Sequence, residues 1–276
     1  MPINLTKHSK IWIHPDGLLP DKIVNRLVFQ REVRPKDELT FFVNQACAER
    51  TADKIALLKE HGIKIKIIEE CLEEKFDDEF LIGFAKKVIH RLTETKKVRD
   101  TVYATDVLRL MKVVQREGLY SDNDVLFLNF NDTREIMKKY LFGCHTHGMP
   151  DIHIFGIDLN YCEDFYKELI AKIKEMCGDP PYPDEEVCAI PGLAFIPDSI
   201  NLIAYGHLAF QATSDNIISG KDNSHDGGEE ILHAVGNDPL LEEAKLALKE
   251  GHVRKKPLSN FIEDSDNDTS PGLGRR

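Results

Sequence analysis

The sequence predicts an α/β protein with parallel strands and crossover helices, and three features lead there. Short apolar runs of strand length alternate with longer amphipathic stretches through the first two thirds of the chain, and Gly or Pro falls between many of them. Ile63, Ile65 and Ile67 alternate with lysines, the period of a half-buried strand. An order of strand, helix, strand, helix, strand implies parallel pairing, because a crossover helix returns the chain to the same end of the sheet.

Ile11-Trp12-Ile13 forms the first expected strand and is closed by the turn signal His14-Pro15-Asp16-Gly17. A helix follows Pro20, with Ile23, Leu27 and Val28 on one side. Leu39 to Val43 is the second strand. Ala52 to His61 is a helix with Ile55, Leu57 and Leu58 inward, ended by Gly62, a residue that accepts the left-handed conformation. From Asp77 to Gln115 the pattern is helical, and Ala104, Val107, Leu108, Met111 and Val114 make one buried stripe with Asp106 and Arg109 off it. Taken alone, those two charges at i, i+3 predict a solvated ion pair. Gly118 marks a turn, Leu119-Tyr120-Ser121 leads into Asp122-Asn123-Asp124, and Val125 to Leu128 is a further buried run. Later, Leu159 to Met176 contains a helix, Gly178 to Glu186 is turn-rich, Ile200 to Ala204 and Leu208 to Gln211 read as strands, and Leu240 to Lys249 as a helix. One domain over 1–253 and a polar, mobile tail over 254–276 follow from the composition.

Composition narrows the function classes. With 276 residues and 42% hydrophobic content the chain can bury a sizeable core. A formal net charge of -11 argues against sequence-independent nucleic-acid binding, which needs a field of Lys and Arg. No apolar run approaches the roughly 20 residues that span a bilayer, so no integral membrane segment is expected. Six cysteines without a repeating spacing, behind an N-terminus that lacks a secretory apolar region, suggest reduced thiols and a cytoplasmic protein. Cys144-His145-Thr146-His147 with His153 lacks the second pair that a structural zinc site needs. Asp264, Asp266 and Asp268 begin like a calcium loop, but Thr269 stands where its glycine would be and Arg275 where its glutamate would be. No Gly-rich phosphate loop appears, which leaves kinase and dehydrogenase readings without support.

Chemistry concentrates in Asp122 and Asp124. Two carboxylates two positions apart can hold a hard divalent cation, and a cation held by few protein oxygens keeps coordination sites open for the phosphates of a nucleotide. Upstream lies ATDVLR (Ala104 to Arg109), then EGLYSDND (Glu117 to Asp124). Together they resemble the signature of retaining GT-A glycosyltransferases with a DXD motif, in particular the family of large clostridial glucosylating toxins and related bacterial effectors. The N-terminal KIWIHPDGLLPDKIV resembles that family's opening strand and the helix after it.

The resemblance implies a GT-A, Rossmann-like fold and a set of roles. Trp12, the only tryptophan, would stack on the uracil of a UDP-sugar, beside Ile13. Asp124 would ligate Mn²⁺ or Mg²⁺ directly, and Asp122 would contact ribose and sugar hydroxyls and reach the metal through water. Asp106 and Arg109 would hydrogen-bond the transferred sugar, while Tyr120 would pack under the turn and, with Asn123, belong to the nucleotide-sugar site. Asp215 and Asn216 lie in a segment similar to one that faces the sugar in such enzymes. The implied reaction moves a hexose or N-acetylhexosamine, with retention, from a UDP-sugar to a hydroxyl of a protein (a small GTPase among the candidates), lipid or glycan, in the cytoplasm or in a host cell entered as an effector.

The chain departs from the pattern in four respects. Glu117 replaces the first glycine of a Gly-Gly pair, Ser121 replaces a larger apolar residue, and a second tryptophan and a late metal ligand are missing, with His225 and Asp226 as substitutes for the ligand. Those gaps favour a rival reading, a non-catalytic nucleotide-sugar-binding protein of degenerate glycosyltransferase fold. A third reading, metal-dependent hydrolysis of nucleotide diphosphates, shares the same donor site.

Overall fold

In the computed structural model, the described residues are 4, 6–123, 125–127, 141–146, 149–160, 162–178 and 231–233. The first strand, β1 (Lys7–Trp12), begins earlier than its apolar residues suggest, because His8, Ser9 and Lys10 are polar yet buried. The turn after it forms as expected: the Gly17 amide donates to the His14 carbonyl (3.0 Å), and Gly17 takes a φ of +67°. There follow α1 (Asp21–Val33), β2 (Glu38–Val43), α2 (Gln45–Arg50), α3 (Ala52–Glu60) and β3 (Lys64–Ile67). The short helix α2 was not expected from the sequence. Leu57 also departs from expectation, being 42% exposed. On a 3.6-residue period Leu58 follows Ile55 onto the inner face, and Leu57 turns away.

The long helical stretch divides into α4 (Ile68–Glu73), α5 (Glu79–Thr95), α6 (Val98–Arg109) and α7 (Lys112–Gln115). The Asp78 side chain caps α5 by accepting from the Phe80 amide (2.9 Å). The single helix expected through Val114 breaks at Met111, whose backbone is extended (φ −69°, ψ 140°). A distant carboxylate explains the break: Asp77 accepts the amides of Lys112 (2.7 Å) and Val113 (3.0 Å), so α7 starts on its own cap. The stripe residues Ala104, Val107, Leu108, Met111 and Val114 are all buried despite it.

β4 (Leu119–Ser121), β5 (Val125–Phe127), β6 (Leu141–Thr146), β7 (Met149–Ile157), α8 (Glu163–Cys177) and β8 (Ile231–His233) complete the described elements. Six strands form one sheet in the order β3-β2-β1-β4-β7-β6, and β5 pairs with β8 separately. β1 runs parallel to both β2 and β4, and β3 runs parallel to β2, as the alternation predicts. β7 and β6 add antiparallel pairings at the other side. One sheet face packs Ile11, Phe42, Tyr120 and Phe155 against α5, α6 and α8. The opposite face sets Leu39, Phe41 and Val43 against α1 and α3, making a three-layer core.

Gly118 fixes how β4 enters the sheet. Its φ is +124°, and a Cβ there would lie 2.1 Å from the Lys7 carbonyl oxygen. Only glycine can pass so close to β1. Cys47, Cys71, Cys162 and Cys177 are buried thiols outside any disulfide. Among the described residues no helix is long and apolar enough to cross a membrane. Outside the described residues fall the strands expected over 200–204 and 208–211, the helix over 240–249, the tail, His225, Asp226 and the side chains of Cys144 to His147 and His153.

Candidate functional site

The sheet order places β1 between β2 and β4, so the chain winds outward in two directions from the gap between β1 and β4. In open α/β sheets such a switch point leaves a crevice at the carboxyl ends of the strands, where ligands bind. Trp12 closes β1 at that end, and Asp122 and Asn123 follow β4 there. The last turn of α6 supplies Asp106 and Arg109.

Four of the residues singled out in the sequence come together. Arg109 Nη2 is 2.6 Å from Asp106 Oδ1, and its Nη1 is 3.3 Å from Asp122 Oδ1. Tyr120 donates its hydroxyl to the same Asp122 oxygen (2.5 Å), and the Arg109 guanidinium lies 4.9 Å from the Tyr120 ring centroid. Asp106 and Arg109 are only 5% and 6% exposed, which overturns the solvated ion pair expected from their spacing. They are instead a buried pair that reaches from a helix to the turn. Asp122 differs from both, with 32% of its side chain exposed. Tyr120 sits under the turn as expected. Burial pushes its phenol well above 10, and Asp122 adds to that push while Arg109 opposes it, so Tyr120 stays a proton donor.

Asn123 donates its amide to the Ile11 carbonyl (2.6 Å), which ties the turn to β1. Its Oδ1 is buried and has no hydrogen-bond partner among the described residues. Trp12 is half-buried and donates Nε1 to the Leu18 carbonyl (2.7 Å), while Leu18 itself is 46% exposed. Ile13, the residue after Trp12, belongs to the core. Its side chain is 1% exposed in the core, so only its main chain can meet a ligand. Asp124, Asp215 and Asn216 lie outside the described residues.

Three further residues shape the site and were not read from the sequence. Lys10, fully buried, donates to Ser121 Oγ (2.8 Å) and to the carbonyls of Asp122 (2.6 Å) and Val125 (2.7 Å). Gln115 donates to the Arg109 carbonyl (2.5 Å) and accepts from the Ile157 amide (3.1 Å), joining the end of α6 to β7. Asn44 bridges the loop after β1 by donating to the His14 carbonyl (3.0 Å) and accepting the His14 amide (3.2 Å). For Lys10 a signal existed, a lysine directly before the apolar Ile11-Trp12-Ile13 run; Gln115 and Asn44 gave none. No group of three His, Cys, Asp or Glu side chains able to hold a metal occurs among the described residues.

No family model matches the chain, and no curated protein matches it in sequence. Solved structures do. The PaToxG glycosyltransferase is similar with a TM-score of 0.52 at 15% identity, over 77% of this chain and 77% of that one. The UDP-bound glycosyltransferase domain of the YGT toxin matches at TM-score 0.34 and 11% identity, over 91% of this chain and 63% of that one. The first similarity establishes the fold as GT-A-like, in agreement with the expected α/β class.

Proposed function

We propose that this GT-A-like chain is a retaining glycosyltransferase that binds a UDP-sugar and a divalent metal at the carboxyl ends of β1 and β4. The observation that carries the reading is the buried Asp106–Arg109 pair joined to Asp122 and Tyr120 at the switch point. An ion pair kept for stability alone has little reason to hold a third, partly exposed carboxylate in place. The PaToxG glycosyltransferase, which shares the fold, supports the reading.

Each residue has a task consistent with its surroundings. Trp12 offers an aromatic face to the uracil. Arg109 is held on one side by Asp106, and its cation near the turn suits a diphosphate or the charge that develops on it. Asp122 keeps Oδ1 occupied by Tyr120 and Arg109, and its other oxygen can accept from ribose or sugar hydroxyls or from metal-bound water. An oxygen donor of this kind fits Mn²⁺ or Mg²⁺, which are held by one or two carboxylates and completed by nucleotide phosphates. Asp124 is the proposed direct ligand, with Asp215 and Asn216 toward the sugar. A bound metal would carry part of the negative charge that builds on the departing UDP. The acceptor is a hydroxyl, and no general base is assigned.

The test is incubation with Mn²⁺ and a panel of UDP- and GDP-sugars, with and without cell extract as acceptor source, followed by measurement of free nucleotide. Release from a UDP-sugar should be stimulated by extract and should fall on the order of 10²-fold in Asp124→Ala, the scale seen when a group that stabilises developing charge is lost. Release that needs no acceptor would point to hydrolysis. Binding without any release above the variant would point to the non-catalytic reading.

A further inference from the structure

An ammonium group leaves water at a high cost unless each of its N–H bonds finds an acceptor. Lys10 is 1% exposed in the middle of β1, and among the described residues its ammonium donates to Ser121 Oγ (2.8 Å), the Asp122 carbonyl (2.6 Å) and the Val125 carbonyl (2.7 Å). Those acceptors bracket the turn. Ser121 ends β4, Asp122 is its first carboxylate, and Val125 begins β5, so the ammonium clasps both ends of the segment that carries Asn123 and Asp124. The next residue of β1 adds a second anchor, because the Ile11 carbonyl accepts the Asn123 amide (2.6 Å). Within the turn, the Val125 amide donates to the Asp122 carbonyl (3.1 Å), the same oxygen that Lys10 holds.

We propose that Lys10 is a positioning residue, an internal cation that fixes the main chain at Ser121, Asp122 and Val125 so that the Asp122 carboxylate is presented to a metal-bound nucleoside diphosphate. The inference rests on the donor-site reading above and adds a residue that acts through others. A neutral donor could satisfy the carbonyls. A cation does more, because a charged donor makes stronger hydrogen bonds to the Asp122 and Val125 carbonyls than a neutral one. The turn is then preformed, and less ordering remains for the ligand to drive.

The experiment uses the full chain and two probes, Mn²⁺ and UDP. Free Mn²⁺ is followed by electron paramagnetic resonance with UDP present, and UDP binding by calorimetry with and without Mn²⁺. Lys10→Met should lose about 10- to 100-fold in Mn²⁺ affinity, as when a partner that orients a metal ligand is removed. Its metal-free UDP affinity should stay within about twofold of wild type, a change within the few tenths of a kcal/mol expected of uncoupled sites. Ser121→Ala, which removes one acceptor and keeps two, should show a smaller loss in the same direction. A purely structural lysine gives another pattern: lower unfolding temperature in both variants with Mn²⁺ affinity unchanged, which would overturn the inference. Tighter Mn²⁺ binding by Lys10→Met, or an equal loss of metal-free UDP binding, would overturn it too. If Lys10→Met does not fold, Ser121→Ala decides, with unchanged Mn²⁺ affinity counting against the proposal. Wild-type protein that binds UDP equally with and without Mn²⁺ overturns this inference and the metal's part in the donor site, leaving the nucleotide site standing; wild type that binds neither overturns the donor site itself.

Discussion

The two ends of the central parallel strands both bury charge, and they do so differently. At the amino end, His8 Nε2 meets Asp37 Oδ2 at 2.7 Å, Arg34 Nε meets the same oxygen at 2.7 Å, and Arg31 donates to the Asp37 carbonyl (2.7 Å). The Asp37 side chain is 4% exposed, so the network closes on itself. At the carboxyl end, Lys10, Arg109 and Tyr120 all converge on Asp122 or its main chain, yet 32% of that side chain faces outward. A closed network stabilises the fold. A network that spends three donors on steadying one accessible carboxylate is arranged for something that arrives from outside.

Removing the feature that aligns the two ends should have the largest effect. Gly118→Ala places a Cβ against the Lys7 carbonyl at a φ of +124°, and the expected loss exceeds about 4 kcal/mol, enough to populate unfolded protein. Chemical denaturation would measure it; a variant as stable as wild type would show that β4 need not pass so close to β1. The next change separates the ends. Asp122→Asn should cut nucleotide release on the order of 10²-fold while altering stability by less than about 1 kcal/mol, since its pair with Arg109 is partly solvated. A stability loss as large as its functional loss would make the carboxyl end another structural network.

The smallest effect belongs to the amino end and to pH. Burial lowers the His8 imidazole below its ordinary 6.5 by more than Asp37 raises it. The unfolded chain therefore takes up a proton near pH 6.5 that the folded chain refuses, and stability should fall as pH drops from there toward the folded value. The slope is at most about 1.4 kcal/mol per pH unit for one proton. Asp37 moves in a lower window. Burial raises its carboxyl, but hydrogen bonds from His8 and Arg34 outweigh that and hold it below 3.8, so its contribution is lost only as pH falls through that lower value. His8→Gln should flatten the upper part of the stability curve in urea titrations across pH and leave UDP binding at neutral pH unchanged. An unaltered slope would remove His8 from the account.

The same contrast explains what the sequence could reveal. Ile11, Phe42 and Ile65 were legible because apolar periodicity survives in a linear text, and they fixed the parallel core. The residues Asp106, Arg109, Tyr120 and Asp122 were legible as a spaced signature, though their burial was not, since a charge off an apolar stripe reads as solvated until a neighbouring strand covers it. The first half of β1 was hidden by His8 and Lys10, polar residues whose partners, Asp37 and Ser121, are 29 and 111 positions away. The break between α6 and α7 was hidden for the same reason: its cause is Asp77, 35 residues from Lys112. Local pattern carries the core, and long-range polar contacts carry the adjustments that shape the site.

The claim that the carboxyl end receives a nucleotide donor is tested most directly by calorimetric titration of UDP into wild type, Trp12→Ala and Asp122→Asn, each with and without Mn²⁺. The account predicts UDP binding to wild type that tightens with Mn²⁺, weakening in Trp12→Ala under both conditions, and loss of the Mn²⁺ effect in Asp122→Asn. Absence of binding to wild type, or binding that neither variant nor metal alters, would contradict it.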